Sequence, residues 1–145
     1  EVEAQFCIEL ITRLCDNFKS SISPNRIGII AMYSEQVKLL RAKYTRMLSK
    51  LTLTETYPDA KYIIRSVDGF QGQERDIILL STVRADQDES KGVGFVSDQQ
   101  RMNVALTRAK FSVFVVGRRT SLEQNSLWKK FIDFAVEQGV YLKTK

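Results

Sequence analysis

Ile27-Gly28-Ile29-Ile30-Ala31-Met32 is an uninterrupted apolar run that follows a break at Ser20–Asn25, where Pro24 stands. A run this short and without alternation marks a strand buried on both faces, as in a parallel sheet. Phe111-Ser112-Val113-Phe114-Val115-Val116-Gly117 reads as a second strand, and Tyr62–Ser66 and Asp76–Val83 as two more. Helical periods fill the intervals. Ala4, Cys7, Ile8, Ile11, Leu14, Cys15 and Phe18 share one face of a helix over 2–18. Ser34 can cap a helix to about Ser49, with Val37, Leu40, Tyr44 and Met47 or Leu48 inward, before a loop at 50–60. Gly69 and Gly72 bracket a turn, and polar, aperiodic Arg84–Val96 reads as a surface loop. Ser97 with Gln100 fits a capping box that opens a helix to about Ala109. Thr120 caps a last helix burying Leu127, Phe131, Phe134 and Ala135, and Gly139 stops it. Apolar strands alternating with amphipathic helices predict a single α/β domain over 1–145, with a mostly parallel central sheet.

The 145 residues, 43% hydrophobic and 10% aromatic, can build a core, so wholesale disorder is excluded. No stretch approaches the roughly 18 apolar residues of a membrane span, and no signal-peptide pattern opens the chain. Glu1–Ala4 reads as the edge of a longer polypeptide, since a natural start carries Met. Histidine is absent, which removes Ser-His-Asp and Cys-His nucleophiles, imidazole bases and His-ligated metals. Cys7 and Cys15, about 12 Å apart along a helix, are too distant for a disulfide. Two buried thiols in a reducing nuclear or cytoplasmic compartment are expected.

Lys and Arg number 22 against 17 Asp and Glu, a net charge of +5. The excess concentrates at 34–50 (Lys38, Arg41, Lys43, Arg46, Lys50) and at 98–119 (Arg101, Arg108, Lys110, Arg118, Arg119). Such a balance suits a polyanionic partner without proving one.

Ligands of an open parallel sheet usually sit at the carboxyl ends of its strands, and three polar loops are expected there. Met32–Gln36 offers Tyr33, though an ordinary helix cap would look the same. Ser66–Asp76 has two glycines that permit close backbone approach, with Gln71 and Glu74 as hydrogen-bonding groups for hydroxyls or phosphate-bound water. A plain glycine turn is the alternative. Gln100–Lys110 places Arg101 and Arg108 seven apart, on one face of a helix, where paired guanidinium groups suit phosphate oxygens. A solvated basic face is the bland reading. No G-x-x-x-x-G-K-[ST] phosphate loop occurs, and Asp88-Glu89 is poorly placed as a magnesium-binding pair. The chain therefore cannot be a self-sufficient ATPase. The absence of G-x-G-x-x-G disfavours a dinucleotide enzyme.

Taken together, these loops resemble a known set. Val67-Asp68-Gly69-Phe70-Gln71-Gly72-Gln73-Glu74-Arg75-Asp76 is similar to motif V of the superfamily 1 helicases, in the branch of senataxin and the nonsense-mediated-decay helicase. Arg101-Met102-Asn103-Val104-Ala105-Leu106-Thr107-Arg108-Ala109-Lys110 is similar to its motif VI. Ile27–Gln36 resembles motif IV, and Gly92-Val93-Gly94-Phe95 the stretch before motif VI. The order agrees across residues 1–117.

The resemblance implies the second, C-terminal RecA-like domain of a two-domain ATP-driven motor, a three-layer sandwich. ATP would bind between this domain and an N-terminal RecA-like domain that holds most of the Mg2+ contacts; this chain supplies no metal ligand. Single-stranded RNA or DNA would cross the top of both domains. By resemblance, Arg108 is the catalytic arginine finger, Glu74 holds the ribose, and Gln71, Gly72 and Arg101 complete the ATP-binding set. Tyr33, Ser66, Thr82, Arg84 and Asn103 are candidates for the nucleic-acid side. The cycle would close the cleft on ATP, reopen it on hydrolysis and move 5′ to 3′. The isolated chain is expected to be inactive. Ala31-Met32-Tyr33 replaces the family's Thr-Pro-Tyr, Gln100 stands where relatives often carry an arginine, and a further polar group would fall at or before Glu1. The alternative is a non-catalytic nucleic-acid-binding or protein-docking module on the same fold.

Overall fold

The computed structural model describes residues 2–18, 21–51, 57–82 and 98–143. Arg84, the loop expected at 84–96 with Asp88-Glu89 and Gly92–Phe95, and the cap expected at Ser97 lie outside them.

Among the described residues, four strands form one all-parallel sheet in the order β2-β1-β3-β4. They are β1 (Ile27–Ala31), β2 (Ile64–Ser66), β3 (Arg75–Ser81) and β4 (Ala109–Val116). Register aligns Ala31 with Ser66 on one side and Ser81 on the other. Central β1 is buried throughout, as its apolar run predicts. β4 is different: its run ends on the sheet border, where Phe111 is 76% exposed and Phe114 38%.

Side chains alternate between two faces, and each face carries its own core. Ile27, Ile29, Ala31, Ile64 and Leu79 pack under α1 (Val2–Asn17) and α2 (Ser34–Leu51), against Ala4, Cys7, Ile8, Ile11, Leu40 and Tyr44. The predicted faces of both helices hold except at Phe18, which is 51% exposed one residue past the end of α1. Both cysteines are buried and unpaired, and burial, with the nearby Glu3 charge, pushes the Cys7 thiol up to about 12.

On the other face Ile30, Ile78 and Leu80 meet Val67, Phe70, Met102, Ala105, Leu122, Trp128 and Ile132. The last three come from α5 (Arg119–Leu122) and α6 (Ser126–Glu137). Thr120 caps nothing; Asn125 does, its side chain accepting from the amides of Leu127 (3.0 Å) and Trp128 (3.2 Å). The buried stripe is correspondingly rotated to Trp128 and Ile132, leaving Phe134 57% exposed. Gly139, at φ 69°, ends α6 with amide bonds from Gly139 to Val136 and from Val140 to Ala135.

The segment expected as strand from Tyr62 begins instead with a turn of helix, α3 (Ala60–Ile63), because Asp59 caps the Lys61 amide at 2.9 Å. After β2 the chain crosses the second face, burying Val67 and Phe70. Gly28 makes room for it. A Cβ there would sit 2.6 Å from Phe70 Cζ and 3.0 Å from Ile78 Cδ1. Gly28→Ala is expected to cost about 1–3 kcal/mol by overpacking. Urea denaturation checks this, and an unchanged midpoint would mean that Phe70 need not rest on the glycine.

Candidate nucleotide and strand site

In a parallel sheet every connection leaves the carboxyl end of one strand and returns to the amino end of the next. The two polar segments that follow β2 and β3 do this, which corrects the expectation that all three loops gather at the carboxyl ends. Residues 67–74 descend from Ser66 to Arg75, so Glu74 emerges, exposed, at the amino end of β3. Residues 98–108 descend through α4 (Gln99–Leu106), so Arg108 emerges at the amino end of β4.

A backbone bond joins the two arrivals: the Arg75 amide donates to the Arg108 carbonyl at 3.1 Å. A register shift between Arg75 and Ile77 accompanies it. Glu74 and Arg108 are thereby each one residue from, or part of, the same hydrogen bond. Gln71 and Gly72 are exposed in the turn before Glu74. Gly72 adopts φ 76°, which glycine tolerates freely, and nothing lies within 4 Å of where a Cβ would stand. Gly69 instead faces its own chain, its amide donating to Ser66 Oγ at 3.1 Å.

Arg108 is half-buried. Its Nε donates to the Val104 carbonyl (3.1 Å) and its Nη2 to Thr107 Oγ1 (3.2 Å). A guanidinium suits the last turn of a helix, where carbonyls lack partners and the dipole is negative. Helix α4 ends at Leu106 rather than near Ala109, so the seven-residue spacing does not set Arg101 and Arg108 on one helical face.

Arg101 has other partners. Its Nη1 donates to Asp98 Oδ2 at 2.9 Å, and its Nε and Nη2 face the two oxygens of Asp68 at 3.4 and 3.3 Å. Asp98 caps α4, its Oδ1 accepting from the amides of Gln100 (2.9 Å) and Arg101 (3.2 Å). The Arg101 amide is the largest cause holding the Asp98 carboxyl below its usual range, aided by the Gln100 amide and the Arg101 charge.

At the carboxyl end the strand-side candidates separate. Tyr33 is half-buried in the turn after β1, and Asn103 is exposed on α4. Ser66 is committed to the Gly69 amide. Thr82 is only 5% exposed, and both its amide and its hydroxyl donate to the Val116 carbonyl, at 3.0 and 3.1 Å. A buried hydroxyl so engaged ties β3 to β4. Of the described strand-side candidates Thr82 is therefore the one whose hydroxyl is already engaged within the sheet. Beside it the buried Gln36 donates to Ser81 Oγ at 3.1 Å. Sequence reasoning missed this pair, although a serine ending an apolar strand and a glutamine in the first turn of a helix were both visible.

A sequence profile described as an AAA domain matches residues 1–120. Helicase SEN1 of Saccharomyces cerevisiae is 40% identical over 94% of this chain and 6% of its own length. ATP-dependent helicase NAM7 of the same yeast is 38% identical over 95% of the chain and 13% of its own. Putative regulator of nonsense transcripts 1 of Takifugu rubripes is 40% identical over 97% and 12% respectively. The chain belongs to the superfamily 1 helicases of the senataxin and nonsense-mediated-decay branch. It spans a small fraction of the curated relatives it matches. As a member of that branch it carries the α/β, RecA-like layering in an all-parallel sheet, and this superfamily 1 helicase domain places its motif V and motif VI ends side by side.

Proposed function

We propose that this chain is the second RecA-like motor domain of an ATP-dependent helicase. Its ATP would lie between it and an N-terminal RecA-like domain of the same protein, which holds most of the Mg2+ contacts. Arg108 reaches the γ-phosphate as an arginine finger, and Glu74 accepts hydrogen bonds from the ribose. Gln71 and Gly72 line the same edge. Tyr33, Asn103 and Arg84 contribute to a single-stranded RNA or DNA track, for which the net positive charge is suited. The buried, unpaired thiols suit a reducing nuclear or cytoplasmic setting. The relatives, helicases and an ATP-dependent helicase among them, support the reading.

The observation that carries it is the Arg75–Arg108 backbone bond, which brings a carboxylate and a guanidinium to one exposed edge of the sheet. ATP would draw Arg108 off Val104 and Thr107 onto phosphate oxygens, a stronger, charge-assisted bond. Loss of the γ-phosphate lets it return. Closing and reopening about this contact is the two-state element that the strand side would follow.

The test is ATP turnover by the full-length protein with and without single-stranded RNA or DNA. Stimulation by a strand is expected. Glu74→Ala should raise the KM for ATP about 10–100-fold, the loss of a hydrogen-bonded charged group, and shrink the preference over 2′-deoxy-ATP. Equal losses on both nucleotides would remove Glu74 from the ribose. Strand binding by an intact protein that hydrolyses no ATP would replace the motor with the non-catalytic binding module.

A further inference from the structure

The family resemblance puts Arg101 in the nucleotide-binding set, but its surroundings argue otherwise. Two carboxylates, Asp68 and Asp98, already face this one guanidinium, so a polyphosphate would have to compete with both of them for it. At least three of its donors point at them: Nη1 at Asp98, Nε and Nη2 at Asp68. Asp98 itself is anchored, one oxygen on the first amides of α4 and the other on Arg101.

These carboxylates belong to different segments. Asp68 starts the descent after β2, whereas Asp98 and Arg101 start the descent after β3. At the far end the same two segments are joined again, by the Arg75 amide on the Arg108 carbonyl. Helix α4 is therefore tied to the Asp68–Arg75 segment at both ends. The apolar contacts of Met102 and Ala105 hold α4 down on the sheet but are non-directional. The planar fork of Arg101 on Asp68 is directional, and it fixes how far α4 is turned and slid along its axis. Since Asp68 is 65% exposed and Asp98 37%, the pairs contribute little to stability and their effect is on position.

We propose that Arg101 is a positioning residue, which through Asp68 and Asp98 fixes α4 against the Asp68–Arg75 segment and so sets where Arg108 meets the nucleotide, without touching the nucleotide itself. The proposal rests on the motor reading above.

The experiment uses the full-length protein with saturating single-stranded RNA, and Asp68→Asn, Arg101→Gln, their double variant and the exchanged pair Asp68→Arg/Arg101→Asp. It measures kcat and KM for ATP, equilibrium affinity for a fluorescent ADP analogue, and amide hydrogen exchange over residues 98–108. Each single variant is expected to lower kcat about 10–100-fold, as misplacement of a catalytic group does. KM and ADP affinity stay within about twofold, because no nucleotide contact is lost. The double variant is no slower than either single one. The exchanged pair recovers most of the rate, and exchange over 98–108 quickens in both single variants. Nucleotide affinity weakened about tenfold by Arg101→Gln but untouched by Asp68→Asn would make Arg101 a ligand and overturn the proposal. So would an active wild type whose variants all match it. A wild type without ATP turnover would sink the motor reading itself, and this role with it.

Discussion

Replacing Arg108 with alanine in the full-length protein is expected to lower strand-stimulated ATP turnover by about 10³–10⁵-fold, the range over which arginine fingers act. The size follows from when the contact is made. Before ATP arrives the guanidinium rests on the Val104 carbonyl and the Thr107 hydroxyl, both at the end of its own helix. Those partners are neutral, so an anionic phosphate outcompetes them, and most of all when negative charge spreads over the transferred phosphoryl. An interaction strongest in the transition state lowers kcat when removed and leaves nucleotide binding less affected. Arg108→Lys should not restore the rate, since an ammonium lacks the planar fork. Single-turnover hydrolysis separates chemistry from product release. A variant within tenfold of wild type would dismiss Arg108 as the finger, whatever the fate of the rest of the reading.

The second large effect concerns stability. Trp128→Ala should cost about 3–5 kcal/mol, measured by urea denaturation of the chain, because a fully buried indole leaves a cavity that its neighbours fill only in part. Trp128 sits edge-on to Phe131, with ring centroids 5.9 Å apart at 84°, in the same core as Met102 and Ala105 of α4. Helix α6 and the Arg108-bearing segment thus share the apolar core on this face of the sheet. A loss below about 1 kcal/mol would mean that this face collapses around the gap.

Much of the fold was legible, for reasons that can be traced to particular residues. The Ile27–Met32 run gave a two-faced strand because burial on both faces forbids alternation. Ala4, Cys7, Ile8, Ile11 and Cys15 kept helical phase because one face of α1 does all the packing. Errors fell where a polar cap competes with an apolar pattern. Asp59 converts the start of an expected strand into α3, and Asn125 restarts a helix that Thr120 was expected to open, which shifts the buried stripe from Phe134 to Trp128. The candidate site was legible as two strings of residues but not as a place. Carboxyl-end crowding is a rule about where connections begin, whereas Glu74 and Arg108 stand where connections finish. The Asp68–Arg101–Asp98 group lay beyond sequence reasoning because it needs two chain segments of independent origin to meet.

Strand β3 separates the two ends of the molecule by seven residues, about 20 Å at the usual rise per residue. Glu74 and Arg108 stand at one end of that span, Tyr33 at the other. On the proposed motor reading, the sheet would act as a lever arm whose fulcrum lies at the nucleotide. Turning it by about 10° would sweep its far tip through about 3.5 Å, close to the rise per nucleotide along the axis of a base-stacked strand. The stroke of such a device would be fixed by strand length, and lengthening or shortening β3 would change the gearing while leaving alone the chemistry proposed for Arg108.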